Sequence, residues 1–185
     1  MKNIPNLLLV LLLAGAMASC QDKPANKGIA KDKNEKKVDP KAAERDAQFA
    51  ASEILAHHSI IDWAIPEVQD SENRTIRDVA FRLQREHMRL LDQWKEYAEK
   101  KNILVRDSSL AGVREAVQKY IQIPGDSLRH KFWIEEMLKQ EKNILSRLED
   151  YMDDAGDPEL KLILQEELPV IRINRDQLMM LKSKI

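Results

Sequence analysis

Apolar residues recur every three or four positions through nearly all of residues 41–185. This stretch contains only three glycines, Gly112, Gly125 and Gly156. Such spacing lines one face of a helix with apolar side chains, and no alternating β-strand pattern of useful length is present. The stretch is long enough for one domain with its own core. The sequence therefore predicts a single all-α domain over residues 41–185.

Four long helices and one short helix are predicted from the points at which the pattern breaks. The long helices are expected at about 41–66, 74–101, 126–155 and 158–185, and the short one at 113–121. Because most of the connecting turns are tight, neighbouring long helices are expected to run antiparallel. The predicted architecture is an up-down-up-down four-helix bundle with a short extra helix between helices 2 and 3.

Residues with known preferences for helix ends mark these boundaries. Asp70 or Ser71 is expected to cap the second helix, and Asp126 the third. Gly156 is expected to end the third helix in the left-handed conformation. The pair Asp157-Pro158 then opens the fourth helix. The mid-helix proline at position 169 removes one backbone donor and predicts a bend there.

The N-terminus has the composition of an export signal. One lysine precedes an apolar run at 7–13, and small residues lead to Cys20, the only cysteine of the chain. The ending "MASC" resembles a bacterial lipobox, in which the cysteine is lipidated. The predicted organisation is a lipoprotein signal peptide at 1–19, a lipidated Cys20 with a disordered tether at 20–40, and the helical domain.

Charge and the predicted lipid restrict the partners and the location. Residues 41–185 carry 23 Lys and Arg against 27 Asp and Glu and have no basic face, so nucleic acid is excluded as a partner. The lipid would attach the chain to a membrane. Because Gln21 rather than aspartate follows Cys20, we expect an outer membrane lipoprotein that faces the periplasm, or a place on the cell surface. A protein partner is compatible with this reading, but the sequence identifies none.

A polar residue interrupts the apolar stripe of each long helix. The four positions are His57 or His58, His87, Glu141 and Asn174. Counted from the two turns at about 1.5 Å per residue, they fall within a band about 8 Å tall, which Glu53 could join. The sequence therefore predicts a buried polar layer across the bundle.

Three interpretations of this layer stay open. Imidazole and carboxylate groups could converge on a metal ion such as iron, zinc or copper. They could instead satisfy one another's hydrogen bonds and fix the helix register, or they could turn outward. The Glu-x-x-His motif of di-iron bundles is absent from the chain.

No nucleophile motif and no glycine-rich phosphate loop is present, which favours a non-enzymatic protein. The preferred function is an interaction or envelope-stress module, which predicts an exposed apolar groove. The tryptophans Trp63, Trp94 and Trp133 are expected to be core anchors, with Trp63 or Trp133 lining such a groove as the alternative. A metal-binding bundle is the second hypothesis. An enzyme with His87 as general base, which needs an open cleft, is the third. His130 is expected to face solvent or to be hydrogen-bonded, and the run "QEE" at 165–167 is expected to be solvated.

Three segments give the chain a family resemblance. They are "FAASEILAHHSIIDWA", "RDVAFRLQREHMRLLDQW" and "DPELKLILQEELPVIRINRDQL". In this order they resemble the bacterial domain-of-unknown-function 4142 family, which implies a ferritin-like four-helix bundle in a secreted or lipid-anchored protein. In that family the second long helix carries an acidic residue followed by a histidine, and the resemblance implies that Glu86-His87 is this pair. Glu141 and Asn174 stand where relatives carry further histidines. The candidate metal ligands are therefore His57, His58, Glu86, His87 and Glu141.

Overall fold

The computed structural model describes residues 40–184, which form five α-helices and contain no β-strand. The helices are α1 (Pro40–Asp70), α2 (Arg74–Lys100), α3 (Ala111–Ile121), α4 (Asp126–Tyr151) and α5 (Pro158–Lys182), with a 3₁₀ turn at Asp107–Leu110. The all-α prediction is confirmed. The predicted signal peptide, Cys20 and nearly all of the predicted tether lie outside the described residues. Within residues 40–184, no helix is both long and apolar enough to cross a membrane.

The turn between α1 and α2 differs from the prediction at both of its ends. α1 runs through Pro66 to Asp70 instead of ending near the proline. The cap of α2 is Asn73, whose side-chain oxygen accepts from the backbone N–H groups of Thr75 at 3.0 Å and Ile76 at 3.3 Å. The prediction of Asp70 or Ser71 as the cap is therefore wrong. A proline inside α1 removes one backbone donor, a loss that packing of the helix can outweigh.

Two predictions for the ends of α4 are wrong, the cap at Asp126 and the left-handed conformation of Gly156. The residue before α4 is Gly125, with φ at +81°, and Asp126 lies in the first turn, where it accepts from Arg129 at 2.7 Å. Gly156 does not adopt a positive φ. A Cβ there would lie 3.0 Å from the Cβ of Ala42, so this position needs glycine for close approach to α1.

The N-terminus of α5 matches the prediction. Asp157 accepts from the backbone N–H of Glu159 at 2.9 Å, and a proline occupies the first turn. α5 continues through Pro169. The bend at this proline stays a prediction.

The core lies between the four long helices. α1 packs along α2, and α4 packs along α5. α1 also contacts α4, and α2 contacts α5, while α3 packs on α1 and α4. All three tryptophans are buried, whereas the apolar side chains of Leu128 and Phe132 of α4 are exposed. His130 and Trp133 occupy the buried face at that end of the helix instead.

Candidate metal centre

Five buried polar side chains from the four long helices form what we call the polar centre. They are Glu53 and His57 of α1, His87 of α2, Glu141 of α4 and Glu167 of α5. Each is 0% exposed. Glu53 and His57 are four residues apart, which puts them on one face of α1, one turn from each other. The structure thus brings together His57, His87 and Glu141 of the predicted layer, with Glu53 and Glu167 beside them.

Two hydrogen bonds fix the tautomers of the histidines. His87 Nε2 lies 2.8 Å from Glu141 Oε1 and, facing a carboxylate, it donates. The Nδ1 of a neutral His87 then accepts, so the Nδ1–H of His57, 2.9 Å away, is the donor. The other ring nitrogen of His57, Nε2, faces Glu167 Oε1 at 3.2 Å. Because Nδ1 of His57 donates to His87, Nε2 is the ring nitrogen of His57 that can bind a further proton or a metal cation.

Two further side chains hold the carboxylates from outside. Arg147 donates to both oxygens of Glu53, at 2.8 and 3.2 Å. Trp94 donates from Nε1 to Glu167 Oε2 at 2.6 Å. Within residues 40–184, His57 Nε2 and Glu167 Oε1 are buried atoms without a hydrogen-bond partner of good geometry. Such atoms are rare in proteins and often mark the place of a water molecule or an ion.

Opposing electrostatic effects act on the centre. Burial alone would lower the pKa of His57, but the neighbouring carboxylates, Glu167 first, outweigh it and raise this pKa above its ordinary value. Burial raises the pKa of Glu53, and the hydrogen bonds and charge of Arg147 oppose the rise only in part. The centre therefore favours positive charge at His57 Nε2.

The structure brings some of the sequence-predicted residues together and leaves others outside. His57, His87 and Glu141 lie in the polar centre. His58, one residue further around α1, is half-buried and lines a separate surface cleft with Lys95.

Two other predicted residues also lie apart from the bonded network. Glu86 is half-buried and lines a groove with Arg85 and Arg89. Asn174 is fully buried, but its side-chain amide has no hydrogen-bond partner among the described residues. The hydrogen-bonded network therefore contains neither Glu86 nor Asn174.

Glu167 is the member of the centre that the sequence reading missed. The run "QEE" at 165–167 was expected to be solvated, and Glu166 is indeed exposed, but Glu167 is fully buried. The available signal was spacing, since Glu167 lies four residues after Ile163 and four before Ile171, both on the apolar stripe of α5.

A second buried cluster of polar side chains connects α1, α3 and α4 with the turn between α1 and α2. Glu67 of α1 accepts from the hydroxyl of Tyr120 of α3 and lies 3.3 Å from His130 Nε2 of α4. The same His130 nitrogen is 3.1 Å from the hydroxyl of Ser71. His130 is thus hydrogen-bonded, one of the two outcomes expected for it. Because these residues join three helices to the α1–α2 turn, we assign the cluster a structural role.

The polar centre offers one set of groups with the chemistry of metal ligands. One nitrogen of His57 and one oxygen each of Glu53 and Glu167 lie within 4.8 Å of one another. Two ligands at about 2.1 Å from a tetrahedral ion lie about 3.4 Å apart. The His57–Glu167 pair at 3.2 Å already has this spacing, and an inward movement of about 1 Å by Glu53 would complete the geometry. We refer to these three residues as the ligand triad.

Comparisons with known proteins place the chain among helical domains. A family model described as "Domain of unknown function (DUF4142)" matches residues 31–181. No curated protein matches the chain at a significant level. The crystal structure of a DUF305 fragment from Deinococcus radiodurans is similar, with a TM-score of 0.67 and 13% identity, covering 76% of this chain and 97% of that chain. At this identity the likeness concerns the fold alone.

Proposed function

We propose, from the premise that the chain belongs to the DUF4142 family, that its helical domain binds one divalent transition-metal ion at the ligand triad. The family match covers the three segments that carried the resemblance. The observation that carries the proposal is the convergence of the three buried ligand groups. Two of the atoms that face each other there, His57 Nε2 and Glu167 Oε1, lack a well-formed hydrogen bond among the described residues.

Charge balance supports a divalent cation. With Glu53, Glu141 and Glu167 as carboxylates, Arg147 cationic and His57 protonated, the buried groups sum to one negative charge. An M²⁺ ion in place of the His57 proton brings the sum to zero. Neutralising buried charge is strongly favourable, since an uncompensated buried ion is costly.

The three ligand groups restrict which metal ions the site can bind. One imidazole with two carboxylates suits Zn²⁺, Fe²⁺ or Mn²⁺, because imidazole favours transition metals over Ca²⁺ and Mg²⁺. The ligand triad contains no thiolate, the ligand that Cu(I) prefers. A single ion of this group therefore fits the site best.

The residues around the triad have the arrangement expected of outer-shell partners. His87 accepts from His57 Nδ1 and so leaves Nε2 turned toward the ligand position, while Glu141 orients His87 in turn. Arg147 and Trp94 hold the two carboxylate ligands. Metal-binding histidines commonly donate their second nitrogen in this way.

The test is a titration of untagged, chelator-treated protein with Zn²⁺. We expect one equivalent to bind and to raise the melting temperature, because the ion binds the folded state. Glu167→Gln and His57→Gln are expected to weaken binding by about a hundredfold or more, a magnitude that exceeds typical outer-shell effects. The matched controls are Glu166→Gln and His58→Gln, which change the adjacent residues and are expected to bind as the wild type does. Equal binding by all four variants, or no binding by the wild type, would contradict the proposal.

The finer architecture is also part of the proposal. We infer that the four long helices form a ferritin-like up-down-up-down bundle, with α3 as the short extra helix. The pairing of α1 with α2 and of α4 with α5, each across a short connection, supports this arrangement. The likeness to the DUF305 fragment supports the overall fold.

We further propose that the protein is anchored to the bacterial envelope by a lipid on Cys20, with the helical domain in the periplasm or outside the cell. The support is the N-terminal sequence, with its apolar run, its small residues and its single cysteine.

We place metal binding ahead of the other two functions that the sequence suggested. Under the interaction hypothesis Trp63 or Trp133 would line an exposed groove, but both are buried, as core anchors are. The hypothesis of His87 as a general base needs an open cleft, whereas His87 is 0% exposed. The ligand triad is the feature that neither hypothesis uses.

A further inference from the structure

A surface cleft is connected to the ligand triad through Arg147, which lines the cleft and binds Glu53. It has a volume of about 350 Å³ and lies between α1, α3 and α4, with Ser59, Gly112, Gln140, Asn143 and Arg147 in its lining. The side chain of Arg147 is 38% exposed, yet its guanidinium binds the fully buried carboxylate of Glu53. Arg147 therefore stands between the cleft and the triad.

We infer that Arg147 is a gate residue, through which a metal ion passes from this cleft to the triad. The inference rests on the proposed function and adds the route to the site. In the closed state Arg147 engages both oxygens of Glu53, as observed. In the open state its guanidinium leaves Glu53 and turns into the cleft, and it returns to Glu53 once the ion is bound.

The chemistry of Glu53 makes this movement necessary on the cleft side. A guanidinium bound to both carboxylate oxygens covers Glu53 on the cleft side, and its positive charge repels a cation that approaches from the cleft. The ion can therefore reach Glu53 from this side only while Arg147 is displaced.

The cleft can receive the displaced side chain. Asn143 lies one turn before Arg147 on α4 and lines the same cleft, so its amide oxygen is an acceptor within reach of the guanidinium. Glu136, in the same lining, accepts from Gln140 at 3.1 Å and pairs with Lys139 at 3.4 Å, so the lining also contains an acidic group.

The first test measures how fast metal-free protein takes up Zn²⁺ from a chromogenic indicator in a stopped-flow instrument. Arg147→Gln removes the guanidinium, and we expect uptake at least tenfold faster, with the stoichiometry still at one ion. The matched control is Arg172→Gln, which removes the same charge from an exposed pair with Glu149 and is expected to keep the wild-type rate.

The second test closes the cleft instead of opening the gate. A Cβ at Gly112, which lines the cleft, would meet nothing within 4 Å, so this position has room for a side chain to begin there. Gly112→Phe is expected to slow uptake at least tenfold without changing the stoichiometry or the melting temperature, whereas Gly112→Ala is expected to leave the rate unchanged. This variant also keeps the inference testable if Arg147→Gln fails to fold.

The outcomes separate the two proposals. Zn²⁺ binding by the wild type, with wild-type rates in both Arg147→Gln and Gly112→Phe, would overturn the gate and leave the metal site standing. No Zn²⁺ binding by the wild type would overturn both. A faster Arg147 variant together with a slower Gly112 variant is the result that the structure predicts.

Discussion

Replacing His87 with leucine is expected to be strongly destabilising, although the position looks apolar in the helical pattern. His87 and Glu141 are both 0% exposed and meet at 2.8 Å. The second oxygen of Glu141 has no hydrogen-bond partner within residues 40–184. His87→Leu therefore leaves a buried carboxylate without its hydrogen bond, and it also removes the acceptor for His57 Nδ1–H.

The size of the effect follows from these two losses. Leaving the buried Glu141 carboxylate without its donor costs about 3–5 kcal/mol, and the unpaired His57 donor adds about 1–3 kcal/mol. Burial of the leucine side chain offsets about 1.5–3 kcal/mol. We expect a net loss of about 3–5 kcal/mol in the free energy of unfolding. At about 2 kcal/mol per molar urea, the unfolding midpoint would fall by about 2 M.

The assay is urea unfolding of metal-free protein in chelator, followed by circular dichroism. A double-mutant cycle with Glu141→Leu isolates the pair, because His57 loses its acceptor in both His87→Leu and the double variant. We expect the double variant to be at least about 2 kcal/mol more stable than the sum of the single losses predicts, since no carboxylate is then stranded. A loss below about 1 kcal/mol in His87→Leu, with a coupling near zero, would refute this reasoning.

Three other predictions concern pH, packing and the anchor. The pKa of His57 is higher in the folded protein than its value of about 6.5 in the unfolded chain. Protonation of His57 therefore stabilises the metal-free protein fully below about pH 6.5, and this stabilisation is lost as the pH rises through the folded-state pKa. Urea titrations should show that the free energy of unfolding falls as the pH rises above about 6.5, by at most about 1.4 kcal/mol per pH unit for this one proton. His57→Gln should make this fall smaller. Gly156→Ala is expected to cost about 1–3 kcal/mol in thermal unfolding because its Cβ would press on Ala42, whereas Gly112→Ala is expected to be neutral or stabilising by up to about 1 kcal/mol. Labelled fatty acid should be incorporated into the wild type in cells and lost in Cys20→Ser, and equal labelling of both would exclude the anchor.

The helices could be predicted from the sequence because one periodic stripe determines each of them. α2 begins at the predicted residue and ends one residue before the predicted end. The end of α1 was harder to predict, because packing carries the helix past Pro66 despite the lost hydrogen bond. The role of Gly156 could not be predicted either, since the close approach of α1 is a tertiary contact.

Counting along the helices placed His57, His87 and Glu141 at one level, and the structure brings these three together, but the count did not identify Glu167 or Arg147. Counting residues from the turns locates a layer, whereas a step of one residue turns a side chain by about 100° around the helix. This rotation separates His57 from His58 and Glu167 from Glu166. Arg147 contacts Glu53 across 94 residues of sequence, and no local pattern reports such a contact.

The most direct measurement of the central claim is an anomalous difference map from crystals of the full chain grown with Zn²⁺, recorded at the zinc absorption edge. We predict one strong peak, at about 2.0–2.1 Å from His57 Nε2 and about 2.0–2.2 Å from oxygens of Glu53 and Glu167. A peak only at the surface, beside His58 or Glu86, or no peak within the domain, would contradict the account.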